Sequence, residues 1–492
     1  MTFALLIDFG STYTKLVAVD LEGGQVVGQA QALTTAENDI TEGLHEALSR
    51  LQEACGLGLS DFAVRLACSS AKGGLRVVAI GLVPELTTEA AKRAALGAGA
   101  RILRVFSHKL TLRDLKDLDD LAPDLVLLAG GTDGGNDRVI LHNARLLASM
   151  RLACPIVVAG NRDAADEVEA TLRSRGKDVT VTENVLPHLG VLNVEPARTC
   201  IREVFMRTIT RAKGLDKVES LVGGVVMPTP MAVLRAARLL AEGTKGERGL
   251  GELMVLDVGG ATTDVHSVAR GEPTDPMVIQ RGLPEPYAKR TVEGDLGLRV
   301  SALALLEAVG EETLREAIGV EGLDVEAAVR RRAQNPGYVP DSPEEEAVDL
   351  GMTRVAVRVG VERHVGRLRE HHLPTGFCYI QEGKDLTHLP TVIGSGGPFR
   401  ALRNPLPALR EALFDPRNPF LLKPKAPTFY VDRRYLMWAM GLLAEVQPLV
   451  ALHILKSDLK EVEEGDPVLV GTSPIPSAPS PLRPGEGKGA RG

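Results

Sequence analysis

Two short segments of this chain carry aspartate, glycine and threonine at matched spacing. Asp8 follows an apolar run and has glycine two residues later, threonine six residues later and Lys15 seven residues later. Asp257 follows a second apolar run with the same glycine and threonine offsets, and Asp264 occupies the seventh position. Each segment therefore predicts a buried strand, a tight glycine turn and a second strand, with a carboxylate where the first strand ends.

This arrangement predicts a site for a polyphosphate and a divalent cation. Glycine allows backbone N–H groups to approach an anion closely, and such groups form a concave anion site together with Ser and Thr hydroxyls. Because a carboxylate does not favour phosphate directly, Asp8 and Asp257 imply a cation, most simply Mg²⁺ held through water. Lys15 would supply positive charge for a β- or γ-phosphate. The alternative is two ordinary hairpins with Asp-Gly turn chemistry.

Another pattern recurs inside each half of the chain. An apolar strand enters a double glycine at residues 125–132 and again at residues 390–397. We interpret each half as a meander, a helical stretch and a strand that ends in small-Gly-Gly, so that a duplicated domain encloses a cleft. Such turns place backbone beside a ligand at the carboxyl end of a sheet. The later turn suits a nucleoside because residues 391–399 contain no charge.

Three of these elements resemble the motifs of one ATPase superfamily. Residues 8–12, 257–264 and 394–397 are similar to the first phosphate, second phosphate and adenosine motifs of the acetate-kinase, sugar-kinase, heat-shock-chaperone and actin superfamily. The resemblance implies an α/β protein with the actin-like ATPase fold. In that fold, two duplicated ribonuclease-H-like lobes surround a nucleotide cleft.

A finer resemblance is to the MutL/GlmL family, the methylaspartate (glutamate) mutase accessory proteins. It is carried by residues 6–15, 128–135, 257–264 and 290–297, and it covers most of residues 1–470. It implies an ATP-binding partner of an adenosylcobalamin-dependent mutase or aminomutase, which would use ATP to release damaged cobalamin and admit intact cofactor. Nothing in the residues alone points to cobalamin.

From the motifs and the resemblance we expect ATP hydrolysis coupled to lobe closure. Asp8 and Asp257 would approach one Mg²⁺ from opposite lobes as the catalytic pair, with Asp257 a candidate to orient the attacking water, and Asp264 would hold the metal's outer water shell. The residues expected to line the phosphates are Gly10, Ser11, Thr12, Lys15, Gly259, Gly260 and Thr262. Those expected beneath the adenine and ribose are Gly394, Ser395, Gly396 and Gly397.

The chain is expected to divide into two lobes joined by a helix. The predicted segments are a first lobe at 1–220, an interlobe helix and linker at 221–249, a second lobe at 250–470 with a helical insertion at about 296–373, and a disordered tail at 471–492. The interlobe helix is predicted because a Pro-Thr-Pro sequence precedes helically spaced apolar residues.

Composition excludes several classes of partner. The 492 residues are 44% hydrophobic and carry a formal net charge of −7, so we expect real cores and no general attraction to nucleic acid or anionic membrane. Five scattered cysteines without a C-x-x-C pair are typical of buried thiols in a reducing compartment. The chain shows no signal peptide or membrane span, and we expect a cytoplasmic protein.

Other functions share the same motifs and stay open at this point. A small-molecule kinase of this fold would need a carboxylate to accept a substrate proton and a second pocket beside the γ-phosphate. A hydantoinase-like hydrolase carries a similar Asp-x-Gly-Gly-x-x-Thr-Asp element and would turn over its substrate. An actin-like filament protein would sediment in an ATP-dependent manner.

Overall fold

The structure, a computed structural model, describes residues 2–10, 12–34, 40–70, 75–212, 225–373 and 376–464. The strands in these ranges are β1 (Phe3–Phe9), β2 (Tyr13–Asp20), β3 (Gln25–Leu33), β4 (Phe62–Ser69), β5 (Arg76–Gly81), β6 (Arg101–Ser107), β7 (Leu125–Leu128), β8 (Ile156–Val158), β9 (Val179–Val181), β10 (Val225–Pro228), β11 (Leu253–Val258), β12 (Thr263–Val268), β13 (Val278–Gln280), β14 (Ala288–Glu293), β15 (Arg367–Leu373), β16 (Gly376–Glu382), β17 (Thr391–Ser395), β18 (Thr428–Val431) and β19 (Lys460–Glu461).

The helices in the same ranges are α1 (Ile40–Cys55), α2 (Glu89–Gly97), α3 (Leu112–Leu121), α4 (Arg138–Ser149), α5 (Ala165–Arg173), α6 (Glu195–Ala212), α7 (Thr229–Glu242), α8 (Ala302–Val309), α9 (Glu311–Ile318), α10 (Val325–Gln334), α11 (Pro343–His364), α12 (Gly397–Ala401), α13 (Leu406–Arg410), α14 (Met437–Leu443) and α15 (Pro448–Asp458). No helix of the described ranges is long and apolar enough to cross a membrane. The tail predicted at 471–492 lies outside the described residues.

Two sheets share one strand order. The first sheet runs β3-β2-β1-β4-β10. The second runs β14-β12-β11-β17-β18 in the equivalent order, with β19 added at its edge. In each sheet the first three strands along the chain form an antiparallel meander. The fourth strand, β4 or β17, pairs parallel with the central strand, and the fifth strand, β10 or β18, pairs parallel with the fourth. The central strands β1 and β11 are apolar and buried except near their ends, as a strand covered on both faces must be. This repetition confirms the duplicated, actin-like ATPase fold.

Helices α7 and α14 join the two lobes. Helix α7 begins within the Pro-Thr-Pro sequence and includes the predicted interlobe helix, and it packs against α14 of the second lobe. The helices approach closely, because a β-carbon built on Gly441 would lie 1.8 Å from the carbonyl oxygen of Ala232. Strand β10 pairs with β4, so the first sheet continues beyond the predicted boundary at residue 220.

A third sheet is inserted between β4 and β10. Its five parallel strands run β6-β5-β7-β8-β9, an order of 2-1-3-4-5 that is typical of flavodoxin-like doubly wound sheets. We call residues 75–212 the inserted unit. The sequence analysis did not predict it, and the double-glycine repeat was therefore wrong in the first half. Strand β7 lies in this sheet, and the true counterpart of β17 is β4, since each pairs parallel with its lobe's central strand.

The helical insertion of the second lobe is shorter than predicted. Helices α8 to α11 occupy the segment and end at His364, and β15 follows within a three-stranded sheet ordered β13-β16-β15. Helices α10 and α11 are separated by a break at residues 335–342, which contains Pro336 and Pro340. That break reaches the first lobe, since a β-carbon built on Gly337 would lie 3.5 Å from the Tyr13 hydroxyl.

Candidate functional site

The two predicted hairpins form the same backbone structure. The residues at the seventh offset are cross-strand partners, because Asp8 lies opposite Lys15 and Asp257 lies opposite Asp264. Each turn is closed by its first glycine: the Gly10 N–H donates to Tyr13 O at 3.1 Å, and the Gly259 N–H donates to Thr262 O at 2.9 Å. These two N–H groups are therefore hydrogen-bonded inside the turns. Ser11 lies outside the described residues.

Asp8 is buried and fully engaged at the end of β1. The Lys15 ammonium donates to its Oδ2 at 2.8 Å, and the Thr229 hydroxyl donates to its Oδ1 at 2.6 Å. The Cys68 thiol lies 3.6 Å from the same Oδ1. Because Thr229 begins the interlobe helix α7, the carboxylate is attached directly to the element that joins the lobes.

Lys15 lies at the boundary between the lobes. Besides its ion pair with Asp8, its ammonium lies 4.9 Å from the ring centroid of Tyr435, which belongs to the second lobe. This distance is within the range of a cation–π contact. Tyr435 has φ of 55°, a left-handed conformation that is rare for an aromatic residue and is found where surrounding structure enforces it.

Asp257 has an incompletely satisfied carboxylate. Its Oδ1 is shielded from solvent and has no hydrogen-bond partner within the described part of the chain. Burial, and next the charge of Asp264, raise the pKa of Asp257 to about 7, while Lys15 opposes the rise. A buried carboxylate without a partner is costly unless a cation or proton joins it. The local chemistry therefore fits a divalent cation.

The fit is to a cation held mainly through water and phosphate. Among the described residues, no group of three His, Cys, Asp or Glu side chains is placed to hold a metal ion. Mg²⁺ commonly retains several waters and binds through one or two carboxylates plus substrate phosphates, so a three-ligand protein cage is not required.

Asp264 is occupied by protein partners. Arg290 donates to its Oδ1 from Nε at 2.7 Å and from Nη2 at 2.6 Å, and the Thr262 hydroxyl donates to Oδ2 at 3.0 Å. Thr262, expected to bind phosphate, thus orients Asp264. A water shell could reach this carboxylate only beside these bonds.

The predicted nucleoside turn lies beside the second hairpin. Strand β17 places Ser395 opposite Asp257, and the Ser395 hydroxyl donates to Asp432 Oδ2 at 2.9 Å. Gly396 has φ of 99°, and a β-carbon there would lie 2.1 Å from Val258 O. Gly394 packs against the Phe399 ring, whereas Gly397 has open space around its Cα. The turn therefore combines a close backbone junction with one open position.

Two further predicted positions, Gly260 and Thr12, lie in the turns of the two hairpins. Gly260 packs against the Arg299 side chain, and its carbonyl accepts from the Arg299 N–H at 2.8 Å. Thr12 accepts a backbone bond from Thr34 and keeps its side chain partly exposed. Both residues are partly exposed.

Sequence reasoning missed four residues that line the site, namely Cys68, Thr229, Asp432 and Tyr435. Thr229 and Asp432 are equivalent in the two lobes, because each directly follows the fifth strand of its sheet. Asp432 Oδ1 and Oδ2 accept from the N–H groups of Leu436 and Met437, which fixes the turn that carries Tyr435. The proline next to Thr229 predicts the start of helix α7, but it does not indicate that Thr229 bonds Asp8.

The sequence of this chain is similar to those of known proteins. The MutL protein family matches residues 4–459. A curated relative, Protein MutL of Clostridium tetanomorphum, is 50% identical over 458 residues, which is 93% of this chain and 99% of the relative.

Solved structures give weaker likenesses. A diol dehydratase-reactivating factor in nucleotide-free form shows 11% identity and a TM-score of 0.34, covering 91% of this chain and 100% of the other. Component A of (R)-2-hydroxyglutaryl-CoA dehydratase from Acidaminococcus fermentans shows 11% identity and a TM-score of 0.30, covering 93% and 99%. At these scores the likeness bears on neither mechanism nor partner, and the repeated strand order defines the fold.

Proposed function

Because the chain belongs to the MutL protein family, we propose that it is an ATP-dependent accessory protein of an adenosylcobalamin-dependent mutase of the glutamate mutase or aminomutase type. Binding and hydrolysis of Mg·ATP would drive lobe closure and exchange of damaged cobalamin for intact cofactor, in the cytoplasm. The observation that supports nucleotide binding is the pair of equivalent hairpins, whose aspartates Asp8 and Asp257 are close enough for their charges to interact.

The side chains have distinct roles in this proposal. Lys15 would leave Asp8 for the outer phosphates, since its ammonium is a mobile point charge on a flexible stem. Thr12 and Gly260 would contact phosphate from opposite hairpins, and Gly397 would lie nearest the nucleoside. Bound Mg²⁺ would neutralise charge on the phosphates and on the two aspartates. Phosphoryl transfer needs little more than positioning and charge stabilisation, so no covalent nucleophile is required.

Coupling to lobe movement is supported by the attachment of the site to interlobe elements. Asp8 binds Thr229 at the start of α7, and Lys15 contacts Tyr435 just before α14. A ligand that draws Lys15 away from Asp8 and Tyr435 changes contacts made across the lobe boundary. Differential contacts of this kind are what allow a nucleotide to shift a two-state equilibrium.

A reactivation assay tests the proposed function. A mutase loaded with damaged cobalamin is mixed with this protein, ATP, Mg²⁺ and fresh adenosylcobalamin, and the return of mutase activity is measured. We expect recovery with the parent protein and none with Asp257→Asn or without ATP. If no cobalamin mutase responds while a sugar or acid is phosphorylated stoichiometrically with ATP, the protein is a small-molecule kinase of the same fold.

A further inference from the structure

Arg290 connects the second hairpin to the inserted unit. Its Nε and Nη2 donate to Asp264 Oδ1, while its Nη1 donates to the carbonyl oxygens of Leu96 at 3.2 Å and Ala100 at 3.1 Å. Leu96 is in the last turn of α2, and Ala100 precedes β6. The guanidinium is buried and thus joins a predicted nucleotide-site carboxylate to the C-terminal end of a helix in another part of the fold.

The charge at this joint suits its position. The last carbonyls of a helix lack intrahelical partners, and a cation near them interacts favourably with the helix dipole. Arg290 therefore satisfies α2 on one side and Asp264 on the other. A change in the charge around Asp264 alters the balance between these two sets of bonds.

The inserted unit makes further contacts with the second lobe. Arg93 of α2 donates from Nη2 to Glu285 Oε1 at 2.8 Å and from Nη1 to the carbonyls of Leu283 and Pro284. The Arg101 guanidinium lies against Gly294, where a β-carbon would approach it to 2.5 Å. Gly294 lies between Glu293 and Asp295, and the Arg363 side chain donates hydrogen bonds to both carboxylates.

The contact is not packed solid. A cavity of about 90 Å³ lies between α2 and β14, with Lys92, Arg198 and Lys289 among the residues that line it. The Arg198 Nε faces no hydrogen-bond partner within the described residues. Interfaces that are polar and incompletely filled permit movement of one unit against another. The apolar anchor there is Leu283, which is buried among residues of the first lobe's core.

We propose that Arg290 couples the nucleotide site to the inserted unit, so that Mg·ATP at the second hairpin changes the stability of α2 and the turn that follows it. This inference rests on the proposed function, because it requires nucleotide beside Asp264. It assigns the inserted unit as the part of the molecule that responds to nucleotide. By linkage, a partner that fixes α2 alters ATP affinity by the same factor.

Hydrogen exchange on the full chain tests this coupling. Amide exchange of residues 89–101 is measured with and without Mg·ATP, and ATP affinity is measured by calorimetry. In the parent, Mg·ATP should change exchange in this segment. Arg290→Lys keeps a charge beside Asp264 but cannot serve both sides, so the change should disappear while ATP still binds, with affinity shifted about 5- to 150-fold.

The matched control is Arg354→Lys. Arg354 also bonds a carboxylate, Glu411, and a backbone carbonyl, Ala317, but lies in the helical insertion. This variant should keep the response of the parent. If Arg290→Lys does not fold, Arg93→Lys weakens a neighbouring contact between α2 and the second lobe, at Glu285, and should reduce the same response.

Two results overturn the coupling. One is an unchanged response of residues 89–101 in a folded Arg290→Lys or Arg93→Lys protein. The other is a parent that binds Mg·ATP without any change in this segment. A parent that does not bind Mg·ATP at all would refute the proposed function as well, so the two failures are distinguishable.

Discussion

At the residue scale, the two catalytic candidates differ in how their charges are balanced. Asp8 is paired with Lys15 and bonded to Thr229, whereas Asp257 keeps a buried oxygen without a partner. A carboxylate left in this state lowers stability and is retained where function needs it. In the proposed function, this asymmetry would let the second lobe supply the open position for a cation, while Lys15 of the first lobe would supply positive charge for the phosphates.

Lys15→Met should weaken ATP binding more than AMP binding. The charge of Lys15 is assigned to the outer phosphates, and loss of one charge-assisted bond costs about 1.5–3 kcal/mol, or roughly 10- to 150-fold in affinity. Methionine preserves the stem beside Tyr435. Calorimetric titration of both nucleotides provides the comparison. An equal loss for ATP and AMP would assign Lys15 to pairing Asp8 alone.

Lys384→Met should change the pH dependence of stability. Burial lowers the pKa of Lys384 to about 7, and its ammonium donates to the carbonyls of Ala269 and Tyr287. Since the unfolded state binds this proton up to about pH 10.4, the lysine's contribution to the unfolding free energy rises with pH above 7 and is lost as pH falls toward it. The slope is about 1.4 kcal/mol per pH unit.

Denaturant unfolding of both proteins between pH 7 and 9.5 measures this difference. The unfolding free energy of the parent, relative to Lys384→Met, should increase with pH across the range. A difference that stays constant or decreases would show that Lys384 keeps its proton in the folded state.

At the element scale, the sequence predicted the turns that depend on residues close together in the chain. Apolar runs that end in Asp-x-Gly give both hairpins, and small-Gly-Gly gives the β17 turn, because these turns depend on residues that are close in sequence. The roles of Gly10 and Gly259 are narrower than expected, since their N–H groups close the turns.

Gly396→Ala should destabilise the fold, whereas Gly397→Ala should not. Gly396 has positive φ and contacts Val258 O, so a methyl group there meets both strain of about 1–3 kcal/mol and a steric clash. Gly397 has open space and occupies the first position of α12. Chemical denaturation of the two neighbouring variants gives the test, and equal unfolding midpoints would contradict the described turn.

Long-range neighbours could not be predicted from the sequence. Thr229 is 221 residues from Asp8, and Tyr435 is farther still, so no local pattern links them to the hairpins. Strand β7 shares its strand-Gly-Gly form with β17 because both are buried parallel strands that enter a turn. That chemistry does not specify which sheet a strand joins. The inserted unit was missed for this reason.

At the scale of the whole molecule, two lobes and an inserted unit are joined by contacts that include candidate site residues. Helices α7 and α14 connect the lobes beside the candidate site residues Asp8 and Lys15, and Arg290 connects the second hairpin to the inserted unit. The first connection includes a bond to Asp8 and the second a bond to Asp264, and both aspartates are predicted site residues. The candidate site residues Asp8 and Asp264 are therefore bonded to elements that lie in other parts of the fold.

Gly441→Ala should push α7 and α14 apart. Its β-carbon would overlap Ala232 O at 1.8 Å, so the helices must separate. Overpacking typically costs about 1–3 kcal/mol, and we expect a lower unfolding midpoint together with slower ATP hydrolysis. Gly246→Ala is the control, because open space surrounds that glycine. Parental stability and hydrolysis in Gly441→Ala would show that the helix contact does not join the lobes.

The most direct test of the nucleotide site is the Mg·ATP hydrolysis rate of Asp8→Asn and Asp257→Asn. Asparagine keeps the shape of each side chain and removes its charge. Loss of one preorganised electrostatic group typically lowers the rate about a hundred- to a thousandfold, and we expect each variant to show this loss. Asp257→Asn should keep or raise the unfolding midpoint, because the orphaned buried charge is gone. Folded variants that both hydrolyse ATP at the rate of the parent would contradict the account.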